Sequence, residues 1–145
     1  MKASEEIKAM IKRFEGCRLT AYKDSVGVLT IGYGHTGSDV KQGLKITQAK
    51  ADELFDKDLA KFEAAVTAAV SDVKVNQYQF DALVSFAFNL GIAKLKGSTL
   101  FKKVKANPND TTIGAEFRRW VYAGGKILPG LITRRDEEAK WYYKA

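Results

Sequence analysis

The chain has 145 residues, 46% of them hydrophobic and 28% charged, which is one domain's worth of sequence with enough apolar residues for a core. No apolar run approaches the roughly 18 residues of a membrane span, the single cysteine, Cys17, excludes an internal disulfide, and the single histidine, His35, argues against a Cys/His zinc site. The net charge of +7 suits an anionic partner, but basic and acidic residues interleave as on solvated helix faces, without zinc-finger spacing or an aromatic RNA-binding signature, so nucleic acid is not expected.

The first predicted element is a helix. Ser4 can cap it, Glu5 and Glu6 suit its first turn, and Ile7, Met10, Ile11 and Phe14 form one apolar stripe that Gly16 ends. This N-terminus is polar and amphipathic, with no signal-peptide core, so the chain as written is expected in the cytoplasm. Two β-like runs follow, RLTAYK and VLTIGY, joined by DSVG. Asp24 and Gly27 suit the first and last positions of a tight turn, which makes a hairpin. Leu29, Ile31 and Tyr33 then share one face, with Val28 and Thr30 on the other.

Beyond a glycine-rich loop the pattern is helical. Thr47 can open a helix with the stripe Ala51, Leu54, Phe55, Leu59, Phe62 and Val66. Asn76 with Gln79 reads as a capping box for YQFDALVSFAFNLG, which is apolar on nearly every side and therefore a buried central helix, stopped by Gly91. Further helices are expected around Leu100–Ala106, Thr112–Tyr122 and Leu131–Tyr143, with the glycines near Gly124–Gly130 shaping a loop between the last two. The predicted fold is α+β and mostly helical: a single domain over 1–145, with a small β-hairpin lobe set against a larger helical lobe and a cleft between them.

Chemistry concentrates around the hairpin. Glu15 ends the first helix, where the dipole disfavours a negative charge, and Phe14 and Cys17 can add desolvation; both effects favour a protonated carboxyl, as general-acid catalysis requires. Asp24, at the turn, is expected to stay ionised, and the Thr30 hydroxyl can help it hold a water. Two carboxyls in opposed environments suit glycoside cleavage. Each residue also has an ordinary reading: Glu15 can pair with Lys12 or Arg18, Asp24 can serve the turn, and threonine is common in strands.

The pattern E-x8-D-x5-T at Glu15, Asp24 and Thr30, followed by TIGYGHTG, SFAFNLG and WVYAGGKILPGLITRR, resembles the phage-type lysozymes, or endolysins, of glycoside hydrolase family 24. The resemblance covers nearly the whole chain. It implies a lysozyme-like fold and hydrolysis of the β-1,4 bond between N-acetylmuramic acid and N-acetylglucosamine in peptidoglycan, without cofactor or metal. Glu15 would donate the proton, Asp24 would assist the water or stabilise positive charge, and Thr30 would position the water. Thr36, Phe88 and Ser98 match stretches that line the glycan cleft, and Phe88 also suits a core. It further implies a monomer without stable membrane insertion, held in the host cytoplasm until a holin opens the membrane and then acting on the wall.

His35 is expected to anchor the hairpin by a buried hydrogen bond. Trp120, Arg134 and Arg135 read as packing and solvated charge, with contact to sugar or wall carboxylates as the alternative. Three other functions compete: a lytic transglycosylase cutting the same bond with one glutamate and no water, a non-catalytic wall-binding module, and a Cys17–His35–Asp24 peptidase or amidase. The last is disfavoured because Cys17 follows a helix C-terminus, although Arg18 lies beside it.

Overall fold

A computed structural model describes all residues 1–145. The first helix, α1 (Glu5–Glu15), begins as its cap predicts: Ser4 is extended and its hydroxyl accepts from the Ile7 N–H. Asp81, in the middle of the chain, accepts from both the Ser4 N–H and hydroxyl, so the cap is also a tether. Ile7, Met10 and Ile11 face the core, and Gly16 ends the helix with φ +67°.

β1 (Arg18–Lys23) and β2 (Leu29–Gly32) pair antiparallel, Tyr22 opposite Thr30 and Lys23 opposite Leu29, with an irregularity between Arg18 and Tyr22. Gly27 N–H donates to the Asp24 carbonyl at 3.0 Å, closing the turn. Single bridges from Thr20 to Lys45 and from Ile31 to His35 fold the glycine-rich segment back onto the hairpin. Beneath it Ile31, Val40 and Leu54 make a small core of their own.

α2 (Gln48–Ala69), capped by Thr47, connects this lobe to the rest. Its Leu54 belongs to the small core, while Phe55, Leu59 and Val66 enter the large one. α3 (Gln77–Leu90) carries the predicted capping box, and every residue from Gln79 to Ala87 is buried. Around it pack α1, α2, the short α4 (Ile92–Lys96) and α7 (Pro129–Tyr142). α5 (Thr99–Ala106) and α6 (Ile113–Arg118) complete the helical lobe.

Two late expectations are corrected. The helix expected to run to Tyr122 stops at Arg118, and Tyr122–Ala123 (β3) pairs with Lys126–Ile127 (β4) as a second hairpin. Gly124 and Gly125, with φ +59° and +78°, make its turn, because both central residues of a type I′ turn need positive φ. Strands of two residues carry no alternation from which to read them. α7 starts at Pro129 rather than Leu131, since proline at the first helical position loses no hydrogen bond.

Candidate active site

Glu15 closes α1 with its side chain 16% exposed, and its two carboxylate oxygens have different surroundings. Oε2 accepts from Arg134 Nη1 at 2.6 Å, a contact between residues 119 apart in sequence. Oε1 lies against Gly34: a Cβ built there would stand 2.5 Å from it. Gly34 has φ +78°, so the loop GYGHTG needs glycine here both for its backbone and for the approach of the carboxyl. The burial around Glu15 comes from Arg134 and this loop, not from Cys17, which is exposed. Helix end and burial oppose a charge on Glu15, whereas the guanidinium supports one. The sequence pattern near Glu15 gives no sign of that cation.

Asp24 sits half-buried at the hairpin turn. Its Oδ1 accepts from the Val26 and Val28 N–H groups, both at 2.9 Å, so one oxygen is engaged in the turn while Oδ2 has no protein donor. Thr30 is 4% exposed and donates its hydroxyl proton to the Val28 carbonyl at 2.9 Å. With its proton committed, Oγ1 can only accept from a further partner. Tyr22 stands across from Thr30. Burial first, and then the charges of Glu15 and Asp24, push the Tyr22 hydroxyl upward, while Arg18, stacked 4.6 Å from its ring, pulls the other way. Tyr22, which sequence reasoning did not single out, thus stands opposite Thr30 and feels the charges of both Glu15 and Asp24.

A cavity of about 250 Å³ adjoins this group, lined by Gly34, Thr36, Asp58, Lys61, Phe62 and Phe88. Gly34 is the shared wall between it and the Glu15 carboxyl. Two of the three expected substrate-contacting residues, Thr36 and Phe88, thus meet in one cavity. Phe88 also packs on Phe55 and Phe62 at 5.4 Å, serving the core as well. Ser98 does not line it: it caps α5, accepting from the Phe101 N–H and donating to the Leu95 carbonyl, and is 3% exposed.

His35 fixes the loop above this cavity. Nδ1 lies 2.7 Å from Asp58 on α2, and Nε2 lies 2.9 Å from Asp39. Burial disfavours the imidazolium, but the hydrogen bonds and charges of Asp58 and Asp39 outweigh it and raise the His35 pKa above its ordinary value. Both nitrogens are engaged, and Cys17 Sγ instead meets the Gln48 side chain at 3.7 Å, so a Cys17–His35–Asp24 triad is not assembled.

The reading of Arg134 and Arg135 as solvated charge is corrected, because both are buried, at 3% and 0% exposure. They flank Glu138, also fully buried, and Ser85 Oγ donates to Glu138 Oε2 at 2.5 Å. Arg135 further reaches Asn89 at 2.8 Å. The helical spacing Arg135, Glu138, Ala139, Tyr142 could have placed these charges on the apolar face of α7. Trp120 packs edge-on against Phe86 at 5.6 Å and, with Leu90 and Tyr122, floors a separate concavity of about 410 Å³. The largest concavity, about 710 Å³ between α1 and α7, shares no residue with the candidate acids.

Known proteins resemble this chain in sequence and in fold. The chain is 44% identical over 131 residues to an endolysin of Bacillus phage B103, covering 89% of this chain and 49% of that protein, so it spans about half of that relative's length. Over 142 residues it is 40% identical to an endolysin of Salmonella phage P22, with 95% of each covered. Among solved structures, an endolysin from Escherichia coli O157:H7 phage FAHEc1 superimposes with a TM-score of 0.87 at 39% identity, over 99% of this chain and 94% of that one. The Phage lysozyme family model matches residues 12–138, nearly the whole of the described fold, and the chain belongs to that family.

Proposed function

We propose that this chain is a muramidase that hydrolyses the β-1,4 bond between N-acetylmuramic acid and N-acetylglucosamine in peptidoglycan, as an endolysin acting on the host wall. The observation that carries the reading is the division of labour between the two oxygens of Glu15. Arg134 is a donor only, so it always occupies a lone pair on Oε2, and a proton carried by Glu15 resides on Oε1. Oε1 is the oxygen beside Gly34, the residue that also walls the cavity. Glu15 then gives that proton to the glycosidic oxygen as the sugar–oxygen bond breaks.

Asp24 Oδ2, which has no protein partner, serves the water or the developing positive charge, while Oδ1 keeps the turn in place. Thr30 accepts a hydrogen from the same water, because its own proton is given to Val28. That leaves a lone pair of the water free for the anomeric carbon. Glycan entering the cleft strips solvent from Oε1 and makes its charge costlier, which favours the acid form at the moment it is needed. Thr36 and Phe88 contact the sugar beside Gly34. The presence of a carboxylate and a hydroxyl poised for water favours hydrolysis over a transglycosylase reaction.

The test is the clearing of purified sacculi by this chain and by Glu15→Gln. Loss of a general acid lowers the rate by about 10²–10⁴-fold; equal clearing by the two proteins contradicts the assignment. The proposal includes delivery: the enzyme acts as a monomer and reaches the wall from the host cytoplasm after a holin opens the membrane. No helix of the chain is long and apolar enough to cross a membrane. Expression without a holin then leaves cells intact, and lysis under that condition refutes this part alone.

A further inference from the structure

α7 and α3 bury an ionic cluster that meets the candidate site only through the contact of Arg134 with Glu15. Glu138 is 0% exposed, Arg135 is 0% exposed and Arg134 is 3% exposed. Glu138 Oε2 receives Ser85 Oγ at 2.5 Å, Arg135 Nη2 at 3.2 Å and Arg134 Nε at 3.3 Å, and Oε1 lies 2.7 Å from Arg135 Nε. Burying such charges is costly, and apolar side chains of similar volume often stabilise a fold as well or better. Stability is therefore a weak reason for the cluster. What it does that an apolar cluster cannot is hold a guanidinium by all three nitrogens. Arg134 Nε is on Glu138, Nη2 donates to the Ser85 carbonyl at 3.2 Å, and Nη1 reaches Glu15 at 2.6 Å.

We propose that Glu138 is a positioning residue for the reaction: it aims Arg134 at Glu15 and, together with Arg135, sets how strongly the cluster holds the Glu15 carboxylate. This rests on the reading of Glu15 as proton donor. With Glu15 ionised, two arginines face two glutamates and the cluster is neutral. When Glu15 takes up its proton, one positive charge is left over. The charge on Glu138 offsets that excess and keeps the acid form accessible. Arg135 acts in the opposite sense, and it is electrostatically coupled to both Glu138 and Glu15. The other ionisable groups facing Glu15 come from the hairpin, Tyr22 and through it Asp24, with Arg18 on the Tyr22 ring. None of them contacts Glu138.

The path from Glu138 through the guanidinium to Glu15 spans on the order of 8 Å, at which a unit charge in a protein interior moves a titration by about one pH unit. Two variants test the proposal, each assayed as the pH dependence of the initial rate per folded molecule on sacculi. Glu138→Gln removes a negative charge, and the alkaline limb, where Glu15 loses its proton, moves down by about one unit. Arg135→Met removes a positive charge, and the same limb moves up. Glu138 keeps Arg134 and Ser85 as partners in the second variant, so that fold survives even where the first fails, and its upward shift then decides the matter. Limbs unmoved in Arg135→Met, or moved in the same direction in both variants, overturn the proposal, because a purely structural cluster alters the folded fraction and not the limb. If Glu15→Gln keeps its activity, the proton-donor reading itself has failed; if it loses activity while the limbs stay put, only the role of Glu138 falls.

Discussion

Replacing Gly34 by alanine adds one methyl group and perturbs two things that a control can separate. At φ +78° an L-residue is strained by about 1–2 kcal/mol, which lowers Tm by about 3–8 °C in a chain of this size. The new Cβ also falls 2.5 Å from Glu15 Oε1. Glu15 cannot swing aside freely, because Arg134, itself held at Nε and Nη2, grips the other oxygen at 2.6 Å. Relief requires the carboxyl or the loop to shift by on the order of 1 Å, and a displacement of that size at a reacting group costs about 10²-fold in rate. Gly43 supplies the control: its φ is +84° and nothing lies within 4 Å of its Cβ direction. Gly43→Ala should lose the same stability and keep its activity. The assay is initial clearing of sacculi per folded molecule, alongside thermal melting. Native activity in Gly34→Ala, or an equal loss in Gly43→Ala, would refute the claim that Gly34 is required by the carboxyl rather than by its backbone alone.

Asp24→Asn separates turn from chemistry, since the amide oxygen can still accept from Val26 and Val28. Its Tm should stay within about 3 °C of native while clearing falls at least about tenfold; a large loss of Tm would show that the charge serves the turn. His35 makes stability depend on pH. Its pKa is raised in the fold, so its contribution is fully present below the ordinary value of 6.5 and is lost as pH rises through the folded value. Asp39 is held below the carboxylate range, chiefly by its hydrogen bond to His35, so the part carried by that pair disappears again in acid as Asp39 protonates. The Tm gap between the native chain and His35→Asn should therefore be widest near about pH 5.5 and narrow by about pH 8.5. A gap that widens toward alkaline pH contradicts the assignment.

Much of the fold is legible because its signals are local. Ser4, Thr47 and Asn76 cap helices by bonds to residues three positions on, and Asp24 and Gly27 close a turn within one tetrapeptide. The stripe along α1 needs only its own periodicity. Glu15, Asp24 and Thr30 stand out as candidates through their spacing and their match to a family pattern, not through physics alone. What stayed hidden depends on distant pairing. Arg134 meets Glu15 across 119 residues, and nothing in FEGCR announces a guanidinium. Arg134 and Arg135 read as solvated charge because charge normally marks the solvated face, whereas here both are buried against Glu138. Ser98 illustrates the converse: a residue matched to a cleft-lining stretch is engaged as a helix cap.

In the proposed reaction Glu15 delivers a proton to the bond between N-acetylmuramic acid and N-acetylglucosamine, and water completes the cleavage. Mass analysis of the fragments released from sacculi tests it most directly, before and after borohydride reduction, for the native chain and for Glu15→Gln. Borohydride-reducible N-acetylmuramic acid ends are expected from the native chain and almost none from the variant. Anhydro-muramic ends, N-acetylglucosamine reducing ends, or equal release by Glu15→Gln would contradict it.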